Sequence, residues 1–175
     1  MTPQERSRLE ELDRILRMDT VREQILPIAS GVRAELGRRP QALMTWAPIS
    51  LELFGGELPA GIRSSWVFVL RAGADTGAER HPNSHQRMMS MEGSGNMRTE
   101  EQGEWRSNFL ISQRDASLEE RWISIPPNTW HRPVIGNETD WVVISFHTVL
   151  AEDLIEERPS TGTRGGTKQV KYLGA

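Results

Sequence analysis

From about residue 40 onward the sequence falls into short segments rich in Val, Ile, Trp, Phe and Thr, separated by Gly, Pro and Asn. Segments of this composition and length read as β-strands, and many of them at close spacing build a sandwich or barrel rather than a helical fold. Strands are expected over residues 42–46, 49–54, 64–71, 78–81, 86–92, 96–98, 104–111, 120–125, 129–134 and 141–148. With 175 residues in all, the chain has room for one such domain with appendages.

The segment before it reads as helix. Thr2-Pro3-Gln4-Glu5 places a capping hydroxyl, a proline at the first helical position and a glutamate three residues after the cap. Leu9, Leu12, Ile15 and Leu16 then form one apolar stripe. A second cap at Thr20 opens a stripe of Val21, Ile25, Ile28, Val32 and Leu36, with Pro27 expected to kink or divide the helix and Gly37 to stop it. The expected organisation is a helical extension over 1–38, a β-barrel over 39–152 and a tail over 153–175. The tail, polar and Gly-rich beyond Pro159, is expected to be flexible or laid on a neighbour.

Composition removes several chemistries. There is no cysteine, which excludes disulfides, thiolate metal sites and a cysteine nucleophile. Imidazole chemistry must draw on His81, His85, His131 and His147. The net charge of −3 gives no footprint for nucleic acid. The N-terminus carries no apolar signal-like stretch and the most apolar run, 141–151, is too short to span a bilayer. A soluble, cytoplasmic protein without membrane or nucleic-acid partners is the expectation.

The stretch from Gly73 to Gly93 carries the chemistry. Gly73 is followed by five residues, then Glu79-Arg80-His81, four residues, Gln86, six residues and Gly93. Farther on, Pro126-Pro127-Asn128-Thr129-Trp130-His131 places a histidine after a Pro-Asn turn, where Asn tolerates a left-handed backbone. These two motifs resemble those of the cupin superfamily, whose first motif is Gly, five residues, His-x-His, three or four residues, Glu, six residues, Gly, and whose second centres on Pro-x-Gly-x-x-His. The resemblance covers about residues 60–150. Glu79 stands where the first His is usual, Gln86 where Glu is usual, and Asn128 where Gly is usual. The resemblance implies an all-β, cupin-type double-stranded β-helix or jelly-roll barrel with a metal held by Glu79, His81, Gln86 and His131. It also implies a dioxygenase, an isomerase or a lyase.

The residues themselves reach a compatible site. Residues two apart on a strand share a face, so Glu79 and His81 project together, and Gln86, Met88 and Ser90 face opposite to Arg87, Met89 and Met91. His131 opens a strand that can converge on them. Two imidazoles, one carboxylate and one amide oxygen suit one divalent transition metal, whether iron, manganese, nickel, zinc or copper. The charge is −1 with neutral imidazoles, as for the usual three His plus Glu, so an anionic or polar small-molecule ligand is favoured. His85 competes with Gln86 for the inward position if the preceding loop shifts register. His85 and His147 are the candidates for proton transfer, and strand parity leaves His147 open between core and interior. The leading expectation is an enzyme, leaning to dioxygenase. The alternatives are a non-catalytic ligand- or metal-sensing module and a metal-independent isomerase. A homodimer is expected from the edges such a barrel leaves to be covered.

Overall fold

The computed structural model describes residues 1–160 and 167–171. Two helices lead: α1 (Pro3–Leu16) and α2 (Asp19–Arg38). Thr2 Oγ1 accepts the Glu5 backbone N–H at 3.2 Å, the cap read from the sequence. α2 starts at Asp19 rather than at a Thr20 cap and runs unbroken through Pro27. Pro27 sits on the exposed side. Burial of Ile25, Ala29 and Val32 on the other side holds the helix together against the one missing backbone donor.

The strands follow: β1 (Met44–Ile49), β2 (Ser64–Leu70), β3 (Gln86–Glu92), β4 (Ser94–Glu101), β5 (Glu104–Arg106), β6 (Phe109–Ile111), then a one-turn helix α3 (Leu118–Arg121), β7 (Trp122–Ile125), β8 (His131–Val134), β9 (Trp141–His147), β10 (Ile155–Pro159) and β11 (Thr167–Lys171). One antiparallel sheet has the order β1-β2-β9-β3-β7, and a second is built on β4, flanked by β5, β6 and β8. The expected strand over 49–54 is instead a 3-10 turn at Leu51–Phe54, because the Ser50 hydroxyl captures the Glu52 N–H and Gly55 closes the turn with a φ of 71°. Residues 120 and 121 belong to α3, and 104–111 divides into β5 and β6. Segment 78–81 is reduced to bridges at Glu79 and Arg80.

The first sheet is covered on both faces. Its inner face, with Trp66, Phe68, Met88, Trp141 and Val143, packs against Met97 of β4, Leu110 of β6 and Ile135. This packing of two antiparallel sheets face to face is the architecture expected of a jelly roll. Its outer face, with Val67, Val69, Met89, Val142, Ile144 and Phe146, buries the apolar stripes of both helices. Burying such a face is the dominant stabilisation of the helices.

Two acidic side chains pin α1 to this outer face. Glu5 accepts from Arg87 Nε at 2.6 Å, Arg87 Nη2 at 2.8 Å and Ser124 Oγ at 2.7 Å. Asp13 accepts from Arg121, from Trp122 Nε1 at 2.8 Å and from Arg17 Nε at 2.7 Å. No helix among the described residues is long and apolar enough to cross a membrane.

The turn before β8 has the backbone expected of it. Asn128 has a φ of 64°, and its N–H donates to the His81 carbonyl at 3.1 Å. Asn128→Gly should leave stability within about 0.5 kcal/mol, whereas Asn128→Val should lose about 1–3 kcal/mol because a β-branched residue is strained there. Urea unfolding of the two variants measures the difference.

Candidate metal centre

Sheet register puts the polar end of the inner face in one row. Ser64 and Gln86 both pair with His147 across β2, β9 and β3. Glu79 and His131 exchange backbone hydrogen bonds of 2.9 and 2.8 Å, so their side chains stand beside one another. His81, two residues beyond Glu79, comes to the same side. A carboxylate oxygen of Glu79 and one ring nitrogen each of His81 and His131 lie within 4.8 Å of one another. Glu79 is 6% exposed, His81 3% and His131 1%. A glutamate on a surface edge is thereby ruled out.

Each imidazole is oriented by a backbone carbonyl. His81 Nδ1 lies 3.0 Å from the Ile155 carbonyl and His131 Nδ1 3.1 Å from the Thr129 carbonyl. A neutral ring that donates from Nδ1 presents Nε2 as its lone-pair nitrogen, the arrangement of a metal-ligating histidine. His131 Nε2 lies 3.5 Å from Glu79 Oε1. It is also buried without a hydrogen-bond partner, as is Gln86 Oε1. Two orphaned acceptor atoms beside a buried carboxylate are costly unless something of positive charge joins them. The donor set therefore fits a divalent ion.

Gln86 faces this interior. Its Nε2 donates to Ser145 Oγ at 3.1 Å, which leaves Oε1 as the atom with no partner. His147 sits in the same group: its Nε2 is 3.1 Å from Ser145 Oγ, its Nδ1 3.2 Å from Ser84 Oγ, and its ring stands edge-on to His81 at 5.1 Å between centroids. His85 is not brought here. Alternation along the chain into β3 turns it with Arg87 toward the helix side, where its Nε2 contacts Ser124 Oγ at 2.7 Å and Glu5 at 3.6 Å. Gln86, not His85, thus occupies the inward position, and among the described residues the side-chain contacts of His85 are to Ser124 and Glu5 rather than to this centre.

Burial lowers His81 to about 4, assisted by the neighbouring His131, so its ring is neutral near pH 7. Burial also pushes His147 well below its ordinary value, with His81 and His131 adding to the effect. For Glu79 burial works the other way. The neighbouring His131, with His81 and Arg158, outweighs it and lowers the carboxyl to about 2.

Two partners of the site have no motif. The Ile155 carbonyl and Arg158 both come from β10, and Arg158 Nη2 donates to Glu79 Oε2 at 2.5 Å. Within the stretch expected as tail, residues 153–159 thus pack onto the barrel. Residues 161–166 and 172–175, including Tyr172, lie outside the described residues.

No protein-family model matches the chain, and no curated protein does. Among solved structures, the chain is similar to the capsular polysaccharide assembling protein CapF from Staphylococcus aureus, at 14% identity over 73% of this chain and 32% of CapF, with a TM-score of 0.47. It is similar to oxalate oxidase in complex with glycolate, at 15% identity over 61% of this chain and 51% of that one, with a TM-score of 0.45. Pumpkin pro-11S globulin aligns at 17% identity over 66% of this chain and 28% of that one, with a TM-score of 0.49. The chain spans about a third or less of CapF and of the globulin and about half of oxalate oxidase. All three alignments lie below a TM-score of 0.5, so the site stands on its own geometry.

Proposed function

We propose that this chain is a metal-dependent enzyme in which one divalent first-row transition ion is held by Glu79, His81 and His131, with the Gln86 amide oxygen as fourth donor. The observation that carries the reading is the convergence of three buried ligand-type atoms within 4.8 Å of one another. A structural polar cluster would have closed on itself with hydrogen bonds, yet Gln86 Oε1 has none and His131 Nε2 has only the 3.5 Å approach to Glu79 Oε1.

The ion, when bound, supplies Lewis-acid chemistry toward an oxygen of the substrate, or the means to use dioxygen. The chain's own residues define the rest. Glu79 contributes the one negative charge of the ligand set, so the loaded centre keeps net positive charge and favours a small polar or anionic substrate. Ser145 holds the Gln86 amide with its oxygen left over, and His147, bracketed by Ser84 and Ser145, holds that serine in turn. Two histidines and a carboxylate also match the ligand inventory of non-haem iron oxygenases, which favours a dioxygenase among the classes implied by the cupin resemblance. We extend the reading to a cytoplasmic protein and to a homodimer, the latter supported by β1, which pairs only with β2 among the described residues and in or beside which Leu43 and Trp46 are 47% and 40% exposed.

One observation favours a metal-free reading: the 3.5 Å approach of Glu79 to His131 is also that of an acid–base pair. Elemental analysis of protein purified without an affinity tag separates the two. One equivalent of iron, manganese, nickel, zinc or copper per chain is expected. Glu79→Ala should lose that metal. Full metal content with turnover lost would instead make Glu79 the base, and activity surviving exhaustive chelation would establish the metal-free enzyme.

A further inference from the structure

Two of the three ligand side chains receive their orientation from one strand near the C-terminus. The Ile155 carbonyl fixes His81 Nδ1 at 3.0 Å, across 74 residues of sequence. Arg158 Nη2 fixes Glu79 Oε2 at 2.5 Å, across 79 residues. We infer that β10 is an orienting part of the metal centre, with Arg158 the positioning residue for Glu79, so that metal occupancy and docking of this strand form one coupled equilibrium. This inference rests on the metal-binding reading above and deepens it.

The strand is held in place by bonds that bypass the ligands. Arg80 and Glu157 exchange backbone hydrogen bonds of 3.0 and 2.9 Å and pair through their side chains at 2.8 Å. Asn83 Nδ2 donates to the Asp153 carbonyl at 2.7 Å, and Asn83 Oδ1 accepts the Ile155 N–H at 3.2 Å. Leu154 is fully buried beneath. Residues within two positions of His81 thus help to hold β10, and β10 in turn orients the ring of His81.

Arg158 is placed to orient rather than merely to neutralise. Its Nη1 donates to the Thr76 carbonyl at 2.9 Å, its Nε to Glu156 Oε1 at 2.5 Å, and its Nη2 to Glu79. A planar guanidinium fixed at three acceptors has one orientation, and it engages Glu79 at Oε2 while Oε1 lies toward His131. Without it the Glu79 carboxylate keeps, among the described residues, only its 3.5 Å approach to His131 as a side-chain contact and lies close to Glu156, which is itself buried. Hydrogen-bond partners of ligating carboxylates carry about 10- to 100-fold in metal affinity. The opposing effect is the repulsion between Arg158 and an incoming cation, and it has the opposite sign, so affinity decides between them.

The coupling is reciprocal. If the docked strand favours the ion, the ion favours the docked strand by the same factor.

The test uses the full chain with Zn²⁺ and Co²⁺ as probes. Arg158→Gln should weaken Zn²⁺ binding by about 10- to 100-fold in chelator competition. It should also alter the visible spectrum of the Co²⁺-loaded protein, and Arg158→Lys should restore only part of the affinity. Zn²⁺ should slow hydrogen exchange at the Arg80 and Glu157 amides in the wild type by more than at Leu9 to Leu16, and do much less in Arg158→Gln. Unaltered or tighter Zn²⁺ binding by Arg158→Gln, or exchange at Glu157 indifferent to Zn²⁺, overturns the inference while leaving the metal centre standing. A loss of stability in metal-free Arg158→Gln with an unchanged Co²⁺ spectrum assigns Arg158 a purely structural role. A wild-type chain that takes up no Zn²⁺ overturns the metal reading and this inference with it.

Discussion

Glu5→Ala is expected to lower the unfolding free energy by about 3–5 kcal/mol, a large part of what a domain of this size has. The loss arises less from the contact removed than from what it leaves behind. Arg87 projects from the outer face of β3 with a side chain only 4% exposed, and it donates to Glu5 through both Nε and Nη2. Truncating Glu5 strands that guanidinium among apolar residues. Exchanging both partners together, as Glu5→Leu with Arg87→Met, should recover most of the loss, because then no buried charge remains. Urea unfolding monitored by tryptophan fluorescence measures both. Equal destabilisation by the single and the double variant would show that the acidic pin on α1 does not work through the stranded charge.

The same pair sets an acid limb. Burial raises the Glu5 carboxyl, but the hydrogen bonds of Arg87 and Ser124 and the charge of Arg87 outweigh it and bring it down to about 2. Asp13 is lowered in the same way, against burial, by Arg121 and Trp122. A carboxyl held lower in the folded than in the unfolded chain contributes stability above its unfolded pKa, about 4.3 for Glu. That stability should fall away between about pH 4.3 and 2, and in Glu5→Ala the fall should be shallower.

The second large effect is at the metal centre. His131→Ala should weaken binding of a divalent ion by more than about 100-fold, exceeding the loss expected from a residue that only orients a ligand. His131 is the residue that β8 delivers to the Glu79 bridge, and its Nε2 is buried with no other partner. Backbone pairing of β8 with β4 and with Glu79 does not use the imidazole, so the variant should fold. In the wild type, free ion at 100 times its dissociation constant should add about 2.7 kcal/mol of stability. In His131→Ala no more than about 0.4 kcal/mol of that increment should remain at the same concentration. A thermal shift by the ion that persists undiminished in the variant would place the binding site elsewhere.

How far such a centre is legible in sequence differs residue by residue. The motif resemblance, with strand alternation beside it, pointed to Glu79, His81, Gln86 and His131, and the structure brings the first two and His131 within reach of one another. Asn128 was legible because a left-handed turn has few tenants. His147 was harder. β9 is buried on both faces, helices on one and the second sheet on the other, so Trp141 to His147 shows no polar alternation to reveal which side faces inward. The readable sign was Ser145, polar and two residues away on the same face. Arg158 and Ile155 were not legible at all. They lie in a run dense in Glu and Arg that reads as solvated tail, and no local rule links residue 158 with residue 79. Pro27 and the turn at Leu51–Phe54 show local propensity yielding to context, in one case to packing of a helix on a sheet and in the other to a serine cap.

The central claim is that this centre is built from two imidazoles and oxygen donors, with Gln86 in place of a further charged ligand. X-ray absorption of the metal-loaded chain measures it directly, since imidazole rings contribute countable multiple scattering. The account predicts two imidazoles, the remainder oxygen, and loss of one imidazole in His131→Ala. A wild-type ion with three imidazoles, which would require His147 to break from Ser84 and Ser145, or one with none, would contradict it.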